Sequence, residues 1–105
     1  MLVVGIPQYL QNITNAKVDL TTTDNTTLYT APSNSDFNAS VINSILVSDD
    51  SGSGDTITVT MVNTSSAIFS VFKVKSVSGN ATVELLTKDL VLQSGEILKV
   101  QAATA

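Results

Sequence analysis

The sequence predicts an all-β fold: a small antiparallel β-sandwich or jelly roll with an extended N-terminal arm. Three observations predict it. Apolar residues recur with period two, as in DTITVTMV (55–62), where Ile57, Val59 and Met61 alternate with Thr56, Thr58 and Thr60. Clusters of Gly, Ser, Asn and Asp interrupt the apolar runs about every ten residues, the rhythm of short strands joined by turns. No window carries an apolar stripe at helical spacing.

The elements follow in chain order. MLVVGIPQYL places Leu2, Val3, Val4, Ile6, Tyr9 and Leu10 in a stretch too apolar for a solvated tail. Gly5 and Pro7 argue against a helix, and Pro suits an extended or edge conformation, so the stretch is expected to be an arm docking on another chain. Those six apolar residues are the candidate partner-binding residues; an ordinary first strand of the sandwich is the alternative. KVDLTT (17–22) alternates Val18 and Leu20 with Lys17 and Asp19, as a strand does, although residues 12–27 carry the weakest order signal. The domain division is therefore an arm and lead-in over residues 1–27 and a β-sandwich over residues 28–105.

Tyr29 in LYTAP reads as a packing residue, as do Phe69 and Phe72 in IFSVF. SVINSILV (40–47), AIFSVFKV (67–74) and TVELLT (82–87) are partly apolar on both faces, which fits strands with one face on the core and the other under a loop or a partner subunit. DTITVTMV is the clearest strand, its Thr face toward solvent. EILKVQA (96–102) repeats the alternation, with Leu98 and Val100 inward and Lys99 and Gln101 outward. QSGE (93–96) lies between LVL and ILKV and reads as a hairpin turn with Gly95 at positive φ.

Composition bounds the role. A chain of 105 residues makes one domain, burying roughly 65% of its unfolded surface. The apolar fraction is 43% and the charged fraction 13%, so the surface must consist of hydroxyls and amides. Such a skin is weakly repelled by neighbouring molecules and suits packing against other proteins, although small all-β domains share it. The net charge is −4, with five Lys and no Arg, and only Lys73 and Lys75 lie close together; nucleic acid is not an expected partner. Cys is absent, which excludes disulfides and thiolate sites. No run approaches the ~20 apolar residues of a membrane span, and Gly5 and Pro7 break the N-terminal run below a signal sequence's needs. Synthesis and release in the cytoplasm of the producing cell is expected. The sequons at Asn12, Asn25, Asn38, Asn63 and Asn80 would then go unused.

The acidic stretch DDSGSGD (49–55) poses a choice between calcium loop and turn. An EF-hand loop beginning at Asp49 would place Ser51, Ser53, Gly54 and Asp55 well, but Thr60 stands at the twelfth position, where a bidentate Glu is required. Strand-like runs flank the stretch closely, and Gly, Ser and Asp are turn residues, so a turn is expected. The calcium reading would make the chain a calcium-dependent adhesion module. With no His and no Cys, imidazole and thiol chemistry are excluded, and each of the nine acids has a place in a turn, a loop or on a strand face. No catalytic residue, cofactor or metal site is expected, and the chain is not expected to be an enzyme. There is no Trp, and Tyr9, Tyr29, Phe37, Phe69 and Phe72 are the only aromatic residues, few for a sugar-stacking platform.

From LYTAP through SVINSILV, the polar turn DDSGSGD and TITV to LVLQSGEILKV, residues 28–102 resemble small β-sandwich or jelly-roll structural proteins of tailed bacteriophages. The matching elements are strands and turns without a catalytic signature. The resemblance implies a virion component, and a capsid cement or decoration protein on the capsid surface, binding the major capsid protein between subunits, is expected; symmetric sites on an icosahedral shell favour cyclic oligomers, so a homotrimer is expected. The alternative is a tail- or fibre-associated β-module that binds a receptor or carbohydrate. Residues 1–27 lie outside the resemblance.

Overall fold

The computed structural model describes residues 15–33 and 39–104. They form eight strands: β1 (Thr26–Thr30), β2 (Ala39–Ile42), β3 (Leu46–Ser48), β4 (Asp55–Val62), β5 (Ile68–Val77), β6 (Thr82–Glu84), β7 (Leu90–Gln93) and β8 (Ile97–Ala102). No helix occurs among the described residues. The chain is all-β, as the period-two pattern predicts.

Four strands form one antiparallel sheet in the order β1-β8-β4-β5. Opposite it lie two short ladders, β2 with β7 and β3 with β6. Because β3 follows β2 closely and β7 follows β6, the two ladders are segments of one long two-stranded ribbon. The Leu85 N–H donates to the Ile45 carbonyl at 2.9 Å across the junction, and the Asp49 N–H donates to the Ala81 carbonyl at 2.9 Å beyond β3.

The core lies between sheet and ribbon. In the sheet, Val59 pairs with Val100, Met61 with Leu98 and Ile57 with Ala102, so the alternating apolar residues of β4 and β8 form one continuous inward face. Ile45, Leu85 and Leu92 of the ribbon belong to the same buried cluster, in which Val59 and Leu92 are fully enclosed. Burying a Val or Leu side chain completely contributes roughly 1.5–3 kcal/mol, which makes these residues the main drivers of the two-layer packing. The Tyr29 hydroxyl of β1 shares a 2.7 Å hydrogen bond with the Ser40 hydroxyl of β2, linking the layers at their rim.

Four expectations need correction. KVDLTT is not a strand: residues 15–21 have no ladder partner among the described residues, Val18 is exposed, and of the two apolar residues only Leu20 packs against the core. Local bonds oppose extension there, since the Thr22 hydroxyl accepts from the Asp24 N–H and the Thr26 hydroxyl donates to the Asp24 carbonyl, bending residues 22–24. QSGE does turn, with Gly95 at φ 76° and the Glu96 N–H bonded to the Gln93 carbonyl at 3.0 Å, yet β7 and β8 do not pair. They enter opposite layers. Leu92 and Leu98 then reach one core from its two sides, and Ala31 fastens the crossover by donating to the Glu96 carbonyl and accepting from the Gly95 N–H.

Phe69 is not a core residue; it is 52% exposed at the edge of the four-stranded sheet, because a two-stranded ribbon cannot cover both edges. Nor is the Thr face of β4 wholly solvated. Thr60 is buried at the centre of the sheet, in register with Lys99 on one side and Ser70 on the other.

Candidate interaction surface

The unequal layers leave two open features. The first is a groove of about 1280 Å³ between the ribbon and the four-stranded sheet. Leu28, Leu98 and Val100 line it from the sheet, Ile42 and Val47 from the ribbon, and residues 15–20 along its margin. Among the described residues β2 pairs only with β7 and β3 only with β6. The groove beside these strands is mixed in character, with Asn43, Ser44 and Asp49 lining it as well as the apolar side chains.

The second feature is a set of large apolar side chains turned to solvent. Val41 and Val91 face each other across the β2–β7 ladder and are 58% and 55% exposed. Leu46 stands exposed on the same strand as Val47, while Ile68, Phe69 and Val74 are exposed on β5. β5 has ten residues against the eight of β4, and two register shifts take up the difference. At one of them Val74 adopts φ 53°, uncommon for a β-branched residue, and its N–H donates to the Thr58 hydroxyl at 3.1 Å. A bulge of this kind, flanked by Lys73 and Lys75, is a device that discourages indiscriminate edge pairing.

The acids serve the backbone. Asp49 Oδ1 accepts from the Ser51 hydroxyl at 2.6 Å and from the Ser51 N–H at 2.8 Å, and these bonds hold its pKa below the ordinary value. Asp55 Oδ1 accepts from the Thr56 N–H at 2.7 Å, and its carboxylate also receives the Thr104 N–H; both bonds lower its pKa. DDSGSGD is therefore a turn built on an Asx motif, with Gly52 and Gly54 at positive φ. It packs tightly on the turn between β5 and β6: a Cβ placed on Gly79 would lie 2.4 Å from the Gly52 carbonyl oxygen.

Glu84 closes the ribbon junction. Its carboxylate accepts from the Ser44 hydroxyl, from the Ile45 N–H at 3.0 Å and from the Leu86 N–H at 3.1 Å, and the Ser44 bond is the largest cause of its lowered pKa, followed by Ile45. The carboxylate thus supplies acceptors where the β3–β6 ladder gives way to β2–β7. Among the described residues, the carboxyls of Asp49, Asp55 and Glu84 are displaced downward, each by hydrogen bonds it accepts from its neighbours. Among the described residues no three His, Cys, Asp or Glu side chains gather as a metal site would require.

The six N-terminal candidates, Leu2, Val3, Val4, Ile6, Tyr9 and Leu10, lie outside the described residues, as does Phe37. The groove was not anticipated from sequence. Its only signal was SVINSILV, apolar on both faces, which supplies the ribbon edge beside it. No helix of the described residues is long and apolar enough to cross a membrane. No family model, curated protein or solved structure matches the chain.

Proposed function

We propose that this chain is a structural protein of a tailed-phage virion: a capsid cement or decoration protein that binds the major capsid protein where subunits meet and stabilises the shell. Its place is the capsid surface, after synthesis in the host cytoplasm, and its expected form is a homotrimer. The resemblance of residues 28–102 to such proteins supplies the class of role. The observation that carries the reading is the set of exposed apolar side chains, Val41, Leu46, Ile68, Phe69, Val74 and Val91, on a β body whose charged fraction is only 13%. A cement protein works through contact area, so it needs apolar surface that only the assembled shell covers, set in a polar, nearly neutral skin. The role calls for no catalytic residue, cofactor or metal.

The test is co-sedimentation with shells assembled from the major capsid protein of the same phage. Saturable binding at a fixed ratio to capsid subunits, with a raised melting temperature of the shell, is the expected result. Binding that is absent, or that leaves shell melting unchanged, contradicts the reading. A second reading, a receptor- or carbohydrate-binding module of a tail appendage, draws on the exposed Phe69 ring, which could stack on a sugar. Hits on a glycan array that vanish in Phe69→Ala would favour it over the first.

A further inference from the structure

We propose that the outer face of the four-stranded sheet carries a ligand site, a notch at the β5 bulge that takes a single neutral sugar residue. Such a site is independent of the shell contact, and the Phe69 ring is not part of it.

The notch has a volume of about 290 Å³, and Thr23, Thr56, Thr58, Val74, Gln101 and Ala103 line it. That size lies at the small end of ligand pockets and suits one ring, not a chain. The sheet register builds it. Ile57 pairs with Lys75 and Val59 with Phe72, so two residues of β5, Lys73 and Val74, stand against Thr58 alone. Gln101 of β8 faces Thr58 from the other side. A bulge bends its strand out of the regular ladder, and here the bend leaves a gap on the face away from the core. Thr56 and Thr58 border that gap, while Ile57 and Val59, which alternate with them, are buried on the opposite face.

Three observations point to the occupant. The first is the wall. Val74 holds φ 53° and is 58% exposed. Gly or Asn accepts this conformation with less strain, so the bulge itself has no need of a β-branched residue. What Val adds is an isopropyl group standing at the notch.

The second is the set of polar groups left over once the internal bonds are made. Thr58 Oγ1 accepts from the Val74 N–H at 3.1 Å, which leaves the hydroxyl proton of Thr58 free to be donated. Gln101 Nε2 donates to the Thr23 carbonyl at 2.9 Å, which fixes the amide and leaves Oε1 as an acceptor. The hydroxyls of Thr23 and Thr56 can serve in either sense.

The third is charge. No charged side chain lines the notch among the described residues, and Lys73 and Lys75, although they flank Val74 in sequence, do not line it. Nothing there neutralises a phosphate or carboxylate. A wholly apolar ligand would leave the hydroxyls and the amide unpaired, at a cost. A sugar ring meets all three conditions: its C–H patches suit Val74 and the Thr methyl groups, its hydroxyls both donate and accept, and it carries no charge.

The test titrates full-length chain labelled with nitrogen-15 against the methyl glycosides of glucose, galactose, mannose and N-acetylglucosamine, with inorganic phosphate as the anion control. A ligand of about a dozen non-hydrogen atoms in one shallow notch binds in the millimolar range. Saturable shifts from at least one glycoside, centred on the amides of Thr56, Thr58, Val74 and Gln101, are expected, with none from phosphate. Val74→Gly accepts the left-handed conformation without strain, so the variant folds, and loss of the wall should weaken binding about tenfold. Gln101→Leu, at an exposed position, should weaken it similarly, whereas Phe69→Ala should leave it unchanged. The proposal is overturned if no glycoside moves those amides, if phosphate moves them, if either notch variant binds as the parent does, or if Phe69→Ala removes binding. No capsid protein enters these measurements, so their failure leaves shell binding untouched.

Discussion

Replacing Gly79 by Ala tests the packing of the acidic turn. Ordinarily, Gly to Ala at a position whose backbone accepts a side chain stabilises a protein by about 0.4–1 kcal/mol, because the unfolded chain loses freedom. Gly79 has no positive φ, so open space around it would produce that gain. Instead its Cβ would stand 2.4 Å from the Gly52 carbonyl oxygen and 2.6 Å from the carbonyl carbon, both backbone atoms that cannot rotate aside. Either the turn over residues 51–54 or the turn between β5 and β6 must move. Overpacking of this sort costs about 1–3 kcal/mol. For a domain of this size each kcal/mol is worth about 4 °C, so the melting temperature should fall by about 4–12 °C. Thermal melting by circular dichroism, with urea unfolding to confirm an unchanged m-value, reads the effect. A variant as stable as the parent, or more stable, would refute the close approach of the two turns and with it the role given to DDSGSGD.

Further outcomes follow from the same structure. Leu92→Ala removes a fully buried side chain from the ribbon and should cost about 2–5 kcal/mol, measured by urea unfolding; a loss under ~1 kcal/mol would mean that the ribbon does not close the core. Asp49, Asp55 and Glu84 all have pKa values lowered by folding, so their contribution is complete above the unfolded carboxylate range near ~4 and is lost as pH falls through the folded values. With no His to titrate, the melting temperature should be flat from about pH 5.5 to 7 and drop below about pH 4; a step near pH 6.5 would contradict this. Melting in calcium and in chelator should give equal midpoints, since Asp49 Oδ1 and Asp55 Oδ1 are engaged by neighbouring N–H groups and the Ser51 hydroxyl; a calcium-dependent rise of several degrees would reinstate a metal site.

Strand identity was legible where side chains alternate and both neighbours in the sheet share the pattern. DTITVTMV and EILKVQA belong to β4 and β8, adjacent strands whose inward residues meet in register, so local pattern and tertiary pairing agree. Layer membership was not legible. The turn at Gly95 has the residues of a hairpin, and only the need of Leu92 and Leu98 to enter the core from opposite sides sends the flanking strands apart, a fact no window of a few residues contains. Phe69 misled for a related reason: its burial depends on how many strands lie opposite, which is a property of the whole ribbon. KVDLTT had the right alternation but only two apolar positions, too little against the local bonds of Thr22 and Asp24. The role of Glu84 at the ribbon junction was invisible for want of any sequence signal that Ser44, Ile45 and Leu86 would converge on it.

Quantitative mass spectrometry of purified particles from a host carrying this gene tests the central claim most directly, by counting copies of the chain against the major capsid protein. A cement protein should be present in hundreds of copies, at a simple ratio to capsid subunits. Absence of the chain from the particle, or a count near a dozen as a tail appendage would give, contradicts the account.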